Sequence, residues 1–241
     1  MSPTDTIVPV LYRDDALLVL DKPAGASLFA DRVGAETLWP SLVEQFGRLL
    51  PVHRLDKGTS GVLVFARQPA MQQHLNHVFA GGSLRKYYVA RVTGRLRLAG
   101  TGRIDLPLMP GRKSRYRVGG PRAAIERQGR QWRLGVPADT KSISACTDLR
   151  VLDEGEDAQG NSTLLLLRPH TGRTHQLRVH LSWIGHAIRG DHLYGDQKDP
   201  AQAVPRLALH SHRIVLPLPN GRWLSVRSTL PAEFRAGASA A

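Results

Sequence analysis

The residues most able to do chemistry lie in one short run, His53-Arg54-Leu55-Asp56-Lys57-Gly58-Thr59-Ser60-Gly61, the densest polar segment of the chain. It stands directly before an apolar stretch at 62–66, so its polar groups belong at the mouth of a packed strand. Asp56 sits between Arg54 and Lys57, and nearby positive charge favours an ionised carboxylate. Such a carboxylate can attack a sugar or base carbon. A structural reading fits the same residues: Gly58 and Gly61 allow a tight path, Thr59 and Ser60 satisfy loop amides, and Asp56 caps the turn. Spacing alone leaves both readings open.

A second polar cluster follows at Arg168-Pro169-His170-Thr171-Gly172-Arg173-Thr174-His175-Gln176-Leu177-Arg178. A glycine-containing turn that opens a helix offers backbone N–H groups to a phosphate. Arg173 could equally reach back to hold a carboxylate in a charge-assisted pair. The third cluster is the turn-rich loop at 185–195, with Arg189-Gly190-Asp191-His192-Leu193-Tyr194-Gly195. Ten histidines raise the question of a metal. His175 and His180 are five apart and do not share a helix face, and no His-Glu-x-x-His run or cysteine pair is present. His210 and His212 read as packed residues of a strand. No metal site is therefore expected, and the glycine patterns of phosphate loops and dinucleotide folds are also missing.

The elements that must position these groups can be read from periodicity. Residues 10–22 form a hairpin around Arg13-Asp14-Asp15. Leu38, Leu42, Val43, Phe46, Leu49 and Leu50 keep helical spacing, with Pro40 in the first turn. A second helix runs from Pro69 to the stop at Gly81-Gly82. Strands are predicted at 62–66, 87–92 and 164–167, and a helix over 173–184. Residues 111–135 carry eight Arg or Lys against one acid, Glu126, and read as a hairpin-like insertion that tracks phosphates, or as an ordinary solvated loop. With no internal repeat and no linker, one α+β domain over 8–234 is expected, with a frayed tail at 235–241.

Composition bounds the partners. The formal charge is +13 at pH 7, and all but six of the 33 basic residues are arginine. Arginine stacks on bases and forks onto phosphates, so a nucleic-acid partner is favoured. The single cysteine, Cys146, excludes an internal disulfide framework. Without a membrane-length apolar run or a signal-peptide pattern at Met1–Asp5, a cytoplasmic location with no membrane contact is expected.

At the chemical run the sequence resembles the RluA-type RNA pseudouridine synthases. The motif His-Arg-Leu-Asp-x-x-Thr-Ser-Gly matches 53–61 completely. Flanking segments follow in family order: Tyr12 to Asp15 with Asp21-Lys22-Pro23-Ala24-Gly25, Lys86-Tyr87-Tyr88-Val89-Ala90, residues 171–180, Gly190-Asp191 with Tyr194-Gly195, and Leu209-His210. Only 111–140 lies outside the pattern.

The resemblance implies a mixed, mainly antiparallel β-sheet with flanking helices, and a reaction needing neither metal nor organic cofactor. It implies that Asp56 is the nucleophile, with Arg173 pairing with it. Arg54 would evict the target base, Tyr88 (rather than Tyr87) would pack against it, and Leu177 would wall the pocket, with His53 and Thr59 lining the same motif. The substrate implied is a loop uridine of rRNA or tRNA, and the charge of the insertion makes Arg112, Lys113, Arg115 and Arg117 the candidates to help grip it. No obligate protein partner is implied.

Two departures stand out. About seven residues precede the opening hairpin, so no separate N-terminal RNA-binding module is expected. Ala187 stands where proline is frequent. Two other functions compete: a non-catalytic RNA-binding protein, and a glycosylase that releases the base. A glycoside hydrolase would need a second carboxyl about 5–9.5 Å away, and Asp191 is the candidate for it.

Overall fold

The computed structural model describes residues 7–30, 37–113, 115–157, 160–195 and 206–234. The expected tail at 235–241 lies outside them. The chain divides into two compact units. The first comprises residues up to Lys86 together with His210–Thr229, and the second comprises Tyr87–Leu209 and the residues from Leu230.

In the first unit the predicted hairpin forms as β1 (Val10–Arg13) and β2 (Leu17–Lys22), paired antiparallel. Asp14 shapes the turn, its Oδ1 accepting the Ala16 and Leu17 N–H groups at 2.8 and 2.7 Å. Trp39–Phe46 form α1, Leu50–Pro51 form β3 and Ser60–Ala66 form β4. β4 pairs antiparallel with β2 and β3. Every β4 residue is buried, the mark of a strand covered on both faces. Val62, Val64 and Ala66 join Leu75 and Val78 of α2 (Pro69–Gly81) in one cluster. Phe65, on the opposite face, lies 6.2 Å from the Trp39 ring of α1. The α1 helix is shorter than its leucine spacing suggests. Gly47 ends it at φ 74°, and Leu50 pairs with Ala66 instead of extending the helix. The last strands of this unit are β13 (Leu209–Pro217) and β14 (Trp223–Arg227), and β13 runs parallel to β4 through His210–Ser60 and Ser211–Gly61.

Gly61 makes that parallel contact possible. Its φ is +105°, and a Cβ there would stand 2.3 Å from the Ser211 carbonyl oxygen. Gly61→Ala is expected to destabilise the protein by about 2–4 kcal/mol, combining backbone strain with overpacking. A urea midpoint unchanged from wild type would show that β13 can move away freely.

The second unit is a sheet in the order β5, β12, β11, β6, β10, β9. These strands are Arg85–Thr93, Gly160–Pro169, Cys146–Asp157, Thr101–Asp105, Gln131–Leu134 and Ile125–Gln128. All neighbours pair antiparallel except β10 with β6, so the pairing in both units is mixed and mainly antiparallel, as expected. One face packs under α3 (Gln176–Trp183) through Ala90, Ile104, Leu149, Leu165, Leu177 and Leu181. The other is solvated, as the alternating burial of β6 shows. The described part of the basic insertion is built largely of regular elements. β7 (Leu108–Pro110) and β8 (Tyr116–Val118) form a hairpin, a 3-10 turn spans Arg122–Ala124, and the β9–β10 hairpin extends the sheet. Among the described residues no helix is long and apolar enough to cross a membrane.

Candidate active site

The 53–61 run is the connection from β3 to β4, and the first unit fixes it at several points. His53 Nε2 accepts the Val64 N–H at 2.9 Å, and the ring stacks on Phe79 with centroids 4.7 Å apart. Leu55 is buried. The Thr59 N–H closes a turn onto the Asp56 carbonyl at 3.0 Å. Ser60 Oγ and His210 Nδ1 are 2.8 Å apart. Lys22, named in the opening motif without a role, proves to be a clamp. Its buried Nζ donates to the carbonyls of Pro23 (2.8 Å), Ala26 (2.7 Å) and Lys57 (3.3 Å), and the Lys57 carbonyl also accepts the Gly25 N–H. With those anchors, Arg54 stays exposed and Asp56 half-buried in a loop whose backbone is held.

The other proposed catalytic residues belong to the second unit. Tyr88 lies on β5 opposite Leu167 and packs, half-buried, against the cluster that contains Leu177. Alternation along β5 therefore favours Tyr88 over Tyr87 for that face.

Arg173 sits in a turn rather than in the predicted helix. α3 begins at Gln176, preceded by His175 in a left-handed conformation at φ 55°. Gln176 builds the turn. Its Oε1 accepts the Arg173 N–H (3.1 Å) and the Thr171 hydroxyl (2.7 Å), while its Nε2 donates to the Cys146 carbonyl and to Thr147 Oγ1, both at 3.0 Å. The Arg173 N–H is thus taken by Gln176, which removes one donor from the phosphate reading of this turn. The exposed Arg173 side chain donates through Nε to the Ser144 carbonyl at 3.1 Å.

His175 connects this turn to the basic hairpin. Its Nδ1 lies 2.8 Å from Tyr194 Oη, which accepts the Tyr116 N–H of β8 at 2.8 Å. Tyr194 is held in turn by Asp191, whose Oδ1 accepts its N–H at 3.1 Å, and by Arg178, stacked 5.1 Å from its ring centroid. Asp191 and Arg178 form a buried two-bond pair, Oδ2 with Nε and Oδ1 with Nη2, each at 2.8 Å. Asp191 is therefore committed to Arg178 and to the loop N–H groups, unlike a carboxylate that activates water. Sequence reading gave His175 and Tyr194 no role, and only the fold brings them to Tyr116.

Of the phosphate candidates, Arg112, Lys113 and Arg115 are exposed at the tip of the β7–β8 hairpin. Arg117 on β8 is half-buried, with Nη1 donating to the Val118 carbonyl at 3.1 Å.

Two histidines are held neutral by burial. The His53 imidazole is lowered to about 3, by burial first and by the charge of Lys86 second. His180 is lowered to about 4 by burial, its nitrogens placed against Thr147 Oγ1 (3.0 Å) and the Leu106 carbonyl (2.9 Å). Unfolding returns both toward about 6.5, so the unfolded chain takes up protons first. Their contribution to stability is complete above that value and is lost as pH falls from there toward the folded pKa values. Between pH 6.5 and 5 each should remove roughly 1 kcal/mol per pH unit. Urea unfolding across that window measures it, and a flat profile would mean that the rings already carry protons in the folded state.

The comparisons with known proteins agree with this architecture. Residues 16–183 match the RNA pseudouridylate synthase family. An uncharacterised RNA pseudouridine synthase of Zymomonas mobilis is 32% identical over 239 residues, 93% of this chain and 94% of the relative. The dual-specificity RNA pseudouridine synthase RluA of Escherichia coli K12 is 32% identical, with 96% of both chains covered. Among solved structures, human RNA pseudouridylate synthase domain containing 1 superimposes with a TM-score of 0.75 at 26% identity, covering 92% of this chain and 83% of that one. A mixed, mainly antiparallel sheet, a clamped Asp56 loop and relatives matched along nearly their whole lengths place the chain in the RNA pseudouridylate synthase family, as an isomerase that modifies RNA.

Proposed function

We propose that this enzyme converts loop uridines of folded rRNA or tRNA to pseudouridine, with Asp56 as its nucleophile and the target base flipped out of its stack. The observation that carries this reading is the Asp56 loop. Its backbone is tied by Lys22, Thr59, Ser60 and His53, while the carboxylate-bearing residue itself stays half-buried.

The bond from the sugar to base nitrogen N1 breaks, the base turns, and the same sugar carbon joins base carbon C5. N1 gains a proton and C5 loses one, so the composition is unchanged and no water is consumed. One carboxylate suffices for such a sequence. Tyr88 is assigned to pack against the flipped base and to assist removal of the C5 proton, Leu177 to the apolar wall, and Arg173 to hold the carboxylate ionised and aimed. Arg54 is assigned to evict the base and fill the gap it leaves, with His53 and Thr59 shaping the loop that presents it. Flipping costs a few kcal/mol in a paired duplex and less in an RNA loop, which favours loop targets.

Pseudouridine mapping of cellular RNA with and without the gene tests the proposal. Loss of one or a few pseudouridines, restored by the wild-type protein and not by Asp56→Asn, is the expected result. An unchanged map with retained RNA binding would favour the RNA-binding reading, and a released free base would favour the glycosylase.

The exposed hairpin tip supports a backbone-gripping role. Replacing Arg112, Lys113, Arg115 and Arg117 together by glutamine should reduce the slope of log K against log salt by about 2–3. The half-buried Arg117 should contribute least. Filter binding at several salt concentrations reads the slope, and a variant with the wild-type value would exclude the hairpin from the RNA contact.

A further inference from the structure

Beside the Arg173 turn, but among side chains given no part in pseudouridine formation, the second unit brings together a thiol, a carboxylate and an imidazole. Cys146 and Asp148 are two apart on β11, so their side chains share one face of the sheet. His170 follows the end of β12, and its N–H donates to the Cys146 carbonyl at 2.9 Å, which sets it directly across the ladder. Sγ, a carboxylate oxygen and an imidazole nitrogen all lie within 4.8 Å of one another. Asp148 Oδ2 is 2.6 Å from His170 Nε2.

We infer that Cys146, Asp148 and His170 form a binding site for a thiophilic divalent cation of the zinc class, with water completing the coordination. The donor set is the one such ions select: thiolate, imidazole and carboxylate. Tetrahedral ligands at bond lengths of about 2.0–2.3 Å stand roughly 3.3–3.7 Å apart. Small side-chain rotations therefore reach that geometry from the present arrangement, His170 swinging slightly away from Asp148. His170 is one-third exposed and free to make that movement.

Two of the three ligands lie on a paired strand, where side chains are placed more firmly than on loops, and His170 follows directly on the partner strand. The neighbouring arginine does not close the site. Arg103 stands opposite Asp148 on β6 and its Nε binds Oδ1 at 2.8 Å, which orients the carboxylate and leaves Oδ2 toward His170. Second-sphere bonds of this kind tune the ligands they hold.

On binding, the cation takes the place of the proton between His170 Nε2 and Asp148, which passes to Nδ1 of a neutral ring or to solvent from a charged one, and the Cys146 thiol releases its own proton to solvent. Because the thiol gives up a proton when it binds, uptake should strengthen as pH rises. The position gives the site a consequence. The Cys146 N–H donates to Thr171 Oγ1 at 3.2 Å, and the Cys146 carbonyl accepts from Gln176. A cation on Cys146 and His170 would clasp both ends of the segment from which the Arg173 turn springs.

Cobalt(II) titration of the purified full chain tests the site without reference to activity. Cys146 is the only cysteine, so any thiolate-to-cobalt absorption in the near ultraviolet reports that residue alone. A band saturating at one cobalt per chain, displaced by zinc and abolished in Cys146→Ser, is expected. His170→Ala, a change at an exposed position, and Asp148→Asn should each weaken binding at least about tenfold. A wild-type chain that gives no band would overturn the inference. So would a band of equal affinity in His170→Ala, or saturation at one cobalt per two chains, the mark of two thiolates from separate molecules.

Discussion

If Asp56 acts as proposed, Asp56→Asn is expected to reduce pseudouridine formation by at least about 10⁴-fold, because it removes the nucleophile and not merely an aid to it. RNA affinity should change little, since a carboxylate makes no favourable contact with phosphate. The fold should also survive. The Asp56 backbone carbonyl closes the turn to Thr59, the Lys22 clamp acts on Lys57, and asparagine keeps the size and shape of the side chain. Single-turnover assays on a bound RNA separate the two quantities, because substrate is already in place when the chemistry is timed. Turnover within about tenfold of wild type would remove Asp56 from the role and return it to the structural reading, in which it caps the turn. Loss of affinity in step with loss of turnover would instead mean that the loop had collapsed. Near-identical circular dichroism of the two proteins is the accompanying check.

The second large effect concerns stability. Asp191 is fully buried, and its partner Arg178 is 9% exposed. Asp191→Ala would leave a guanidinium in the core without its carboxylate and remove the acceptor of the Leu193 and Tyr194 N–H groups. Breaking one side of such a pair costs about 3–5 kcal/mol. For a chain of this size that corresponds to roughly 10 °C in Tm. Replacing both partners, as Arg178→Met with Asp191→Leu, should recover part of the loss, since no charge is then stranded. A single variant as stable as wild type would show that Arg178 finds water or another acceptor. The same pair holds Tyr194, so hairpin and turn should loosen together, visible as faster amide exchange at Tyr116.

Much of this was legible in the residues. The β1–β2 hairpin, the buried β4, the α2 helix with its glycine stop, and the chemical run before β4 all follow from local pattern. The failures are physical as well. Leu49 and Leu50 keep helical spacing, yet Gly47 turns the chain and Leu50 pairs with Ala66. Thr174 and His175 seemed helical because Gln176, their organiser, acts through its side chain rather than through periodicity. β11 was missed because its solvated face carries Asp148, Arg150 and Asp153, its alternation slips between Val151 and Asp153, and only Thr147 and Leu149 mark the buried side at its start. The Cys146, Asp148 and His170 cluster was invisible for a related reason. Two of its members are neighbours on one strand, but the third arrives only through the register of β11 with β12. Lys22 was seen as part of a motif, and its clamp became readable only once the Lys57 carbonyl was placed beside it.

The parallel pairing of β13 with β4 also sets an order of events during synthesis. Residues 1–86 leave the ribosome first, yet their unit is completed by His210–Thr229. The intervening 87–209 must be translated before His210 can meet Ser60 or Ser211 can approach Gly61. At about 5–20 residues per second, that leaves the nascent Asp56 loop without its β13 support for roughly ten seconds. During that interval one edge of β4 near the loop lacks its neighbour, and this early segment is where a ribosome-bound chaperone would find exposed strand. The Asp56 loop therefore gains its β13 support only after residues 87–209 have been made.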